Sequence, residues 1–273
     1  MTGAWLIDAP MIDALHAEWT KFRTLAGSWW LLLAVAALTV TVSAATAAAY
    51  HCPPDGCTAR LTGADPARLS LAGVYLGQVV IALLAVLAIG GEYANGMIRL
   101  TLTAVPRRLT AFCSKALVTA LAALGAAVAA VGGSVLAGWL ILPGQGLSAA
   151  NGYLPLSLGN AADLRAACGS VLYLTLIALL ALGVTAAVRD AAAGIGLVLG
   201  LLLVFPIMSA VIPDHVLARH LEQIAPMTAG LYVQATTGLS ALPLTPWQGL
   251  GVTALWALGA LVLGAAALRL RDA

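Results

Sequence analysis

The chain has 273 residues, of which 62% are hydrophobic and 9% charged, with a mean hydropathy of +0.99. Soluble domains carry about 25% charged and roughly 45–50% apolar residues, so a water-soluble globule and a disordered tail are excluded. The formal net charge is only +2 and no basic run is long enough to follow a phosphate backbone, which excludes a nucleic-acid binder.

The charges are sorted along the chain. Uncharged intervals cover 24–54, 69–91, 116–162, 166–188, 191–213 and 223–268. A helix crossing the roughly 30 Å hydrocarbon core needs about 20 apolar residues, so each interval holds at least one span. The two longest are interrupted. The first breaks at Pro143-Gly144-Gln145-Gly146 and Asn151-Gly152-Tyr153, and the second is polar and proline-broken over 223–246. The expectation is an all-α polytopic membrane protein with six spans at roughly 29–50, 70–90, 116–142, 166–188, 191–212 and 247–268.

Ahead of the first span, Met11, Ile12, Leu15, Trp19, Phe22 and Leu25 recur at three- and four-residue spacing. This predicts an amphipathic interface helix, either a plain membrane anchor or a docking element, with Trp29-Trp30 as an aromatic belt at the membrane entry. His16 and Glu18 are too few for a metal site. The run that follows is too long for a signal h-region, so the first span is expected to serve as an uncleaved targeting signal.

Beyond the first span, Cys52 and Cys57 flank Pro53-Pro54-Asp55-Gly56. A short disulfide on an oxidising face is the favoured reading; zinc held with His51 is the alternative and lacks a fourth ligand. Cys113 and Cys168 read as small apolar fillers.

After the second span comes the longest inner loop, Gly91 to Thr110, with Glu92, Arg99, Arg107 and Arg108; Lys115 follows it. Pro106 predicts a short helix carrying Arg107 and Arg108. On composition these cations enforce topology and meet lipid headgroups. In the third span Gly125, Ala129, Gly133 and Ala137 form a small-residue stripe for packing within or between subunits. The other inner loop is reduced to Arg189-Asp190, and Pro206 marks a kink in the fifth span.

Lys21, Arg23, Arg99, Arg107, Arg108, Lys115, Arg189, Arg269 and Arg271 fall on one side, against Arg60, Arg68, Arg165 and Arg219 on the other. Nine against four places both termini in the cytoplasm. The excess of arginine over lysine, with abundant alanine, points to a GC-rich bacterial source.

No ionisable residue lies inside any expected span, which disfavours ion-coupled carriers and intramembrane hydrolases. Neither lysine belongs to a P-loop. The chain therefore reads as no enzyme, with no cofactor or metal of its own, and any energy for transport must enter from outside it.

One resemblance unites these features. His16-Ala17-Glu18-Trp19-Thr20-Lys21-Phe22-Arg23-Thr24 followed by Ser28-Trp29-Trp30 resembles the entry helix of ABC-2 type transporter permease subunits. So do Gly91-Glu92-Tyr93, Gly96-Met97-Ile98-Arg99, Leu102-Thr103-Ala104-Val105-Pro106-Arg107-Arg108 and Lys115. The resemblance implies a single permease domain over 1–273: a cytoplasmic interface helix (1–28), six spans (29–268) and a cytoplasmic tail (269–273). It implies a re-entrant outer segment between spans five and six, matched by Pro213, Asp214 to Ile224, Pro226 and the stretch to Leu242. The interface helix would use Trp19, Lys21, Phe22 and Arg23. Glu92, Arg99, Arg107, Arg108 and Lys115 would form the coupling interface to a separate P-loop ATPase subunit, where ATP and magnesium reside. Glu92 then either caps the loop or pairs with an arginine. A second permease subunit completes the assembly, as a homo- or heterodimer in the bacterial plasma membrane. The implied function is export of a hydrophobic or amphipathic cargo such as a drug, antibiotic, peptide or lipid. The alternative is a non-transporting scaffold or sensor whose 91–115 loop recruits a partner.

Overall fold

Six helices are long and apolar enough to cross a bilayer: Gly27–Ala49, Val74–Tyr93, Leu109–Gln145, Ala161–Val188, Ala191–Val211 and Pro246–Leu270. They belong to a computed structural model that describes residues 9–24, 26–51, 63–95, 108–153 and 155–270, with no strand among them. The chain is an all-α, multi-pass membrane protein. In chain order the helices are α1 (Ala9–Thr24), α2 (Ala26–Ala49), α3 (Pro66–Ser70), α4 (Val74–Ala94), α5 (Arg108–Ile141), α6 (Ala161–Val188), α7 (Ala191–Val211), α8 (His215–Ile224), α9 (Pro226–Leu231) and α10 (Pro246–Leu270). The spans are α2, α4, α5, α6, α7 and α10.

Short polar side chains set the boundaries. Asn160 accepts from Ala162 N at 3.2 Å to start α6, and Asp190 accepts from Ala193 N at 2.7 Å to start α7. Asp214 accepts from Val216 N at 2.8 Å to start α8. Each satisfies an amide that the first turn leaves unpaired. The α6–α7 turn is the two residues Arg189-Asp190, made possible by Arg189 at φ 65° in the left-handed region. Its guanidinium donates to Ala267 O at 2.7 Å and pins that turn to the last turns of α10.

α6 is the central helix. It packs most extensively on α10, then on α4 and α5, and its Tyr173, Leu174, Ile177, Leu180 and Leu182 are fully buried. At its crossing with α10 a Cβ on Gly183 would stand 2.5 Å from the carbonyl carbon of Ala260. Close backbone approach of this kind is how membrane helices gain packing contact where lipid offers no hydrophobic drive. The Tyr173 hydroxyl donates to Gln78 Oε1, a buried polar pair joining α6 to α4.

Residues 212–245 fold back along the bundle. Trp256 Nε1 donates to Ile224 O at 2.8 Å and Thr253 Oγ1 to Pro226 O at 2.9 Å. The chain then climbs along α6, where Gln234 Nε2 donates to Ser170 Oγ at 3.2 Å and Arg165 Nη2 to Ala235 O at 2.6 Å.

Four expectations need correction. The spans extend beyond the uncharged intervals, so Glu92 lies in the last turn of α4, Lys115 within α5, and Asp163 and Arg165 in the first turns of α6. Arg108 opens the long helix α5 itself rather than a separate short helix; Pro106 and Arg107 lie outside the described residues. Cys113 and Cys168 are free and exposed on helix surfaces instead of filling the core. In the small-residue stripe, Gly133 meets Val40 of α2, whereas Gly125 and Ala129 are exposed, and the buried face of α5 runs instead through Ala123, Ala127, Ala130 and Ser134.

Candidate functional site

An even number of spans brings the end of α1 and the end of α10 to one end of the bundle, called here the terminal end. α1 docks there by an i, i+4 line of buried side chains, Ala14, Glu18 and Phe22. Phe22 packs with Leu84 of α4 and with Val118 and Ala122 of α5, and Trp19 stacks on Phe22 with ring centroids 6.4 Å apart. The turn into α2 is held by Trp29 Nε1, which donates to Arg23 O at 3.1 Å.

The middle member of that buried line is a carboxylate, and it is answered. Lys115 Nζ donates to Glu18 Oε2 at 2.5 Å and to Glu92 Oε1 at 2.9 Å. Lys21 Nζ donates to Glu18 Oε1 at 3.2 Å and to Glu92 Oε1 at 3.1 Å. Two ammonium groups and two carboxylates thus alternate in a closed ring that joins α1, the last turn of α4 and the second turn of α5. Glu18, Glu92 and Lys115 are each at most 8% exposed, and the Lys21 side chain is about a third exposed at the rim.

Formal charge balances within the ring, which is what permits its burial; an isolated charge at this depth costs several kcal/mol. Burial by itself depresses the Lys21 ammonium, and the Glu18 and Glu92 carboxylates together outweigh it, so the Lys21 pKa stands above the ordinary lysine value. Chemically the ring is a mechanical joint. It has four short charged contacts and no nucleophile or redox group among them. α4 and α5 also flank residues 96–107 in sequence, so the ring joins the two helices on either side of that segment.

The structure therefore brings Glu92 and Lys115 together, as members of one interface, and joins to them Lys21 from the interface helix. Glu92 pairs with lysines and neither caps a loop nor meets an arginine among the described residues. Phe22 is buried in the docking seam, while Trp19 and Arg23 face outward. Arg99, Arg107, Cys52 and Cys57 lie outside the described residues, as does the side chain of Arg108. Glu18 is the member that sequence reading missed. The available signal was its register: it lies four residues from both Ala14 and Phe22, on the face that must be buried for α1 to dock.

At the opposite end, Asp65 makes a second joint. It caps α3 through Arg68 N at 3.2 Å and accepts from Thr236 N at 2.6 Å, Thr236 Oγ1 at 2.7 Å and Thr237 N at 3.1 Å. The loop after the first span is thereby tied to the segment before the last one.

Comparison with known protein families and with curated proteins returns no match for this chain.

Proposed function

We propose that this chain is the membrane-spanning permease subunit of an ATP-binding cassette exporter of the ABC-2 type. The observation that carries the reading is the ionic ring: it locks the interface helix to the two helices flanking the 96–107 loop. A partner that displaces this loop pulls on Glu92 and Lys115 together, and through Glu18 and Lys21 on α1, so the motion enters three helices at once. The chain has no P-loop, so the partner is a separate P-loop ATPase subunit holding ATP and magnesium.

The nine-to-four distribution of Lys and Arg supports a cytoplasmic terminal end, and in this reading the membrane is a bacterial plasma membrane. In this reading residues 212–245 are re-entrant from the outer face. The supporting contacts are those of Ile224 and Pro226 with Trp256 and Thr253, which stand well along α10 from its Pro246 start. Two such chains, each with its ATPase, pass a hydrophobic or amphipathic cargo outward as ATP binding closes the ATPases. The charge-poor spans suit a cargo of that kind.

The test is purification of this chain from its native membrane with identification of any copurifying P-loop ATPase, followed by ATPase assay of the pair in lipid vesicles. A stable complex is expected, with ATP hydrolysis accelerated by amphiphilic drugs. Reversing all four members together (Glu18→Lys, Lys21→Glu, Glu92→Lys and Lys115→Glu), which keeps opposite charges facing around the ring, should preserve the complex and alter coupling. Absence of a copurifying ATPase overturns the proposal.

A further inference from the structure

At the end opposite the ring, a cavity of about 310 Å³ lies between the start of α3, the segment leading into α6, the first turn of α6 and Thr236-Thr237. That is the small end of ligand pockets, which span about 300–1,000 Å³. Pro66, Leu156 and Ala162 give it apolar walls, and Asp163 stands among them. Asp163 is more than nine-tenths buried, at 7% exposure. Its Oδ2 accepts from Ser157 N at 3.1 Å and from Asn160 Nδ2 at 3.5 Å. Its Oδ1 has no donor, yet it is not sealed in: it keeps accessible surface, which opens on the cavity that the residue lines.

Aspartate is almost never this buried unless paired, and a buried charge is tolerated when an opposite charge answers it. Among the described residues no lysine, arginine or histidine pairs with Asp163. Arg165, two residues on, turns its Nη2 to Ala235 O at 2.6 Å instead. The N-terminus of α6 favours an anion but supplies no full counter-charge. A carboxylate only accepts, so the missing partner is a cation that donates to Oδ1.

A hard divalent ion such as calcium takes about six to eight oxygens, and no three acidic, histidine or cysteine side chains gather into a metal site among the described residues. One carboxylate oxygen among apolar walls suits a monovalent organic cation. Thr236 lines the same cavity, and its hydroxyl hydrogen goes to Asp65 Oδ1 at 2.7 Å, so it can only accept a further bond. Both groups call for N–H donors.

We infer that this cavity binds a small primary ammonium compound, its N–H donating to Asp163 Oδ1 and its hydrocarbon body lying against Pro66 and Leu156. The walls come from helix starts and connecting segments and none from the middle of a span, so the ligand enters from water. The site stands whether or not the chain is an exporter.

The experiment is a ligand-observed NMR titration of the purified full chain in detergent with benzylamine and, separately, benzyl alcohol. The two share a hydrocarbon body, and only benzylamine is an ammonium ion at neutral pH. One charge-assisted bond corresponds to about a tenfold lower Kd for benzylamine. Asp163→Asn keeps an oxygen to accept from Ser157 N and removes the charge, so it should fold and bind the two compounds equally. Ala162→Leu fills the cavity with the carboxylate intact and should weaken benzylamine binding by a similar factor. If Asp163→Asn does not fold, the wild type and Ala162→Leu decide alone. Equal affinity of the wild type for the two compounds, a benzylamine preference that survives in Asp163→Asn, or benzylamine binding unchanged in Ala162→Leu overturns the proposal.

Discussion

Lys115 and Glu18 stand 97 positions apart in the chain and 2.5 Å apart in space, both buried. Because each also shares a partner in the ring, removing one charge leaves the others uncompensated. Glu18→Gln or Lys115→Met should destabilise the protein by about 3–5 kcal/mol, the usual cost of breaking a buried pair from one side. Glu18→Gln combined with Lys115→Met leaves Lys21 facing Glu92 as a balanced pair and should cost clearly less than the sum of the two single losses. Thermal unfolding in detergent measures all three variants, and strictly additive losses sink the closed-ring description.

The ring also predicts a pH dependence. Lys21 has a folded-state pKa raised above its unfolded value, so it binds a proton more tightly when folded. Its contribution is fully present below the unfolded value of about 10.4 and is lost as pH rises through the folded value. The gap in unfolding temperature between the wild type and Lys21→Met should be constant from neutral pH to about pH 10, then narrow above it. A gap that narrows on acidification from neutral pH contradicts this assignment.

Where this architecture was legible in sequence, the reason was physical. Each span is bounded by a charge or a capping residue that cannot enter hydrocarbon, so Arg189-Asp190 marked a turn with little ambiguity. The ring was half legible. Glu92 and Lys115 end the uncharged intervals and stood out, but their pairing depends on α1 docking across them, a tertiary event that periodicity on α1 does not encode. Residues 223–246 resisted assignment because they satisfy backbone carbonyls through Trp256, Thr253 and Arg165, side chains of other helices. The tight helix crossings were misplaced for a related reason. Small residues recur on several faces of α5, and only the neighbouring helices decide which face is used.

The crossings yield a paired test. Gly183→Ala puts a methyl group against the Ala260 backbone and should cost about 1–3 kcal/mol, the range for overpacking. Gly125→Ala meets nothing within 4 Å and should be neutral or stabilising by up to about 1 kcal/mol through helix propensity. Equal effects on unfolding would show that the α6–α10 contact is looser than described.

In the buried pair of α4 and α6, Tyr173→Phe removes the donor to Gln78 and leaves that amide oxygen unpaired. Hydrogen bonds between membrane helices are worth about 0.6 kcal/mol on average and up to roughly 1.7. Tyr173→Phe should therefore cost at least that much, and adding Gln78→Leu should restore part of it by removing the orphaned group. A double-mutant cycle with no coupling rejects the pair.

Asp65 offers the most local test. Its carboxylate accepts four bonds, one capping α3 and three holding Thr236 and Thr237, and those three bridge more than 170 positions of sequence. Asp65→Ala removes both functions. The lost cap costs about 0.5–2 kcal/mol of local helix stability, but α6, α10 and the ring at the other end do not depend on it. The consequence should be regional. Amide exchange at 236 and 237 should accelerate by an order of magnitude or more, while exchange in the core of α6 stays unchanged. Asp65→Asn retains an oxygen acceptor and should keep the α3 cap while weakening the three long-range bonds, since each loses its charge assistance. If exchange at 236–237 is the same in all three proteins, Asp65 does not hold this segment, and Arg165, through its bond to Ala235 O, is left as the tie that does.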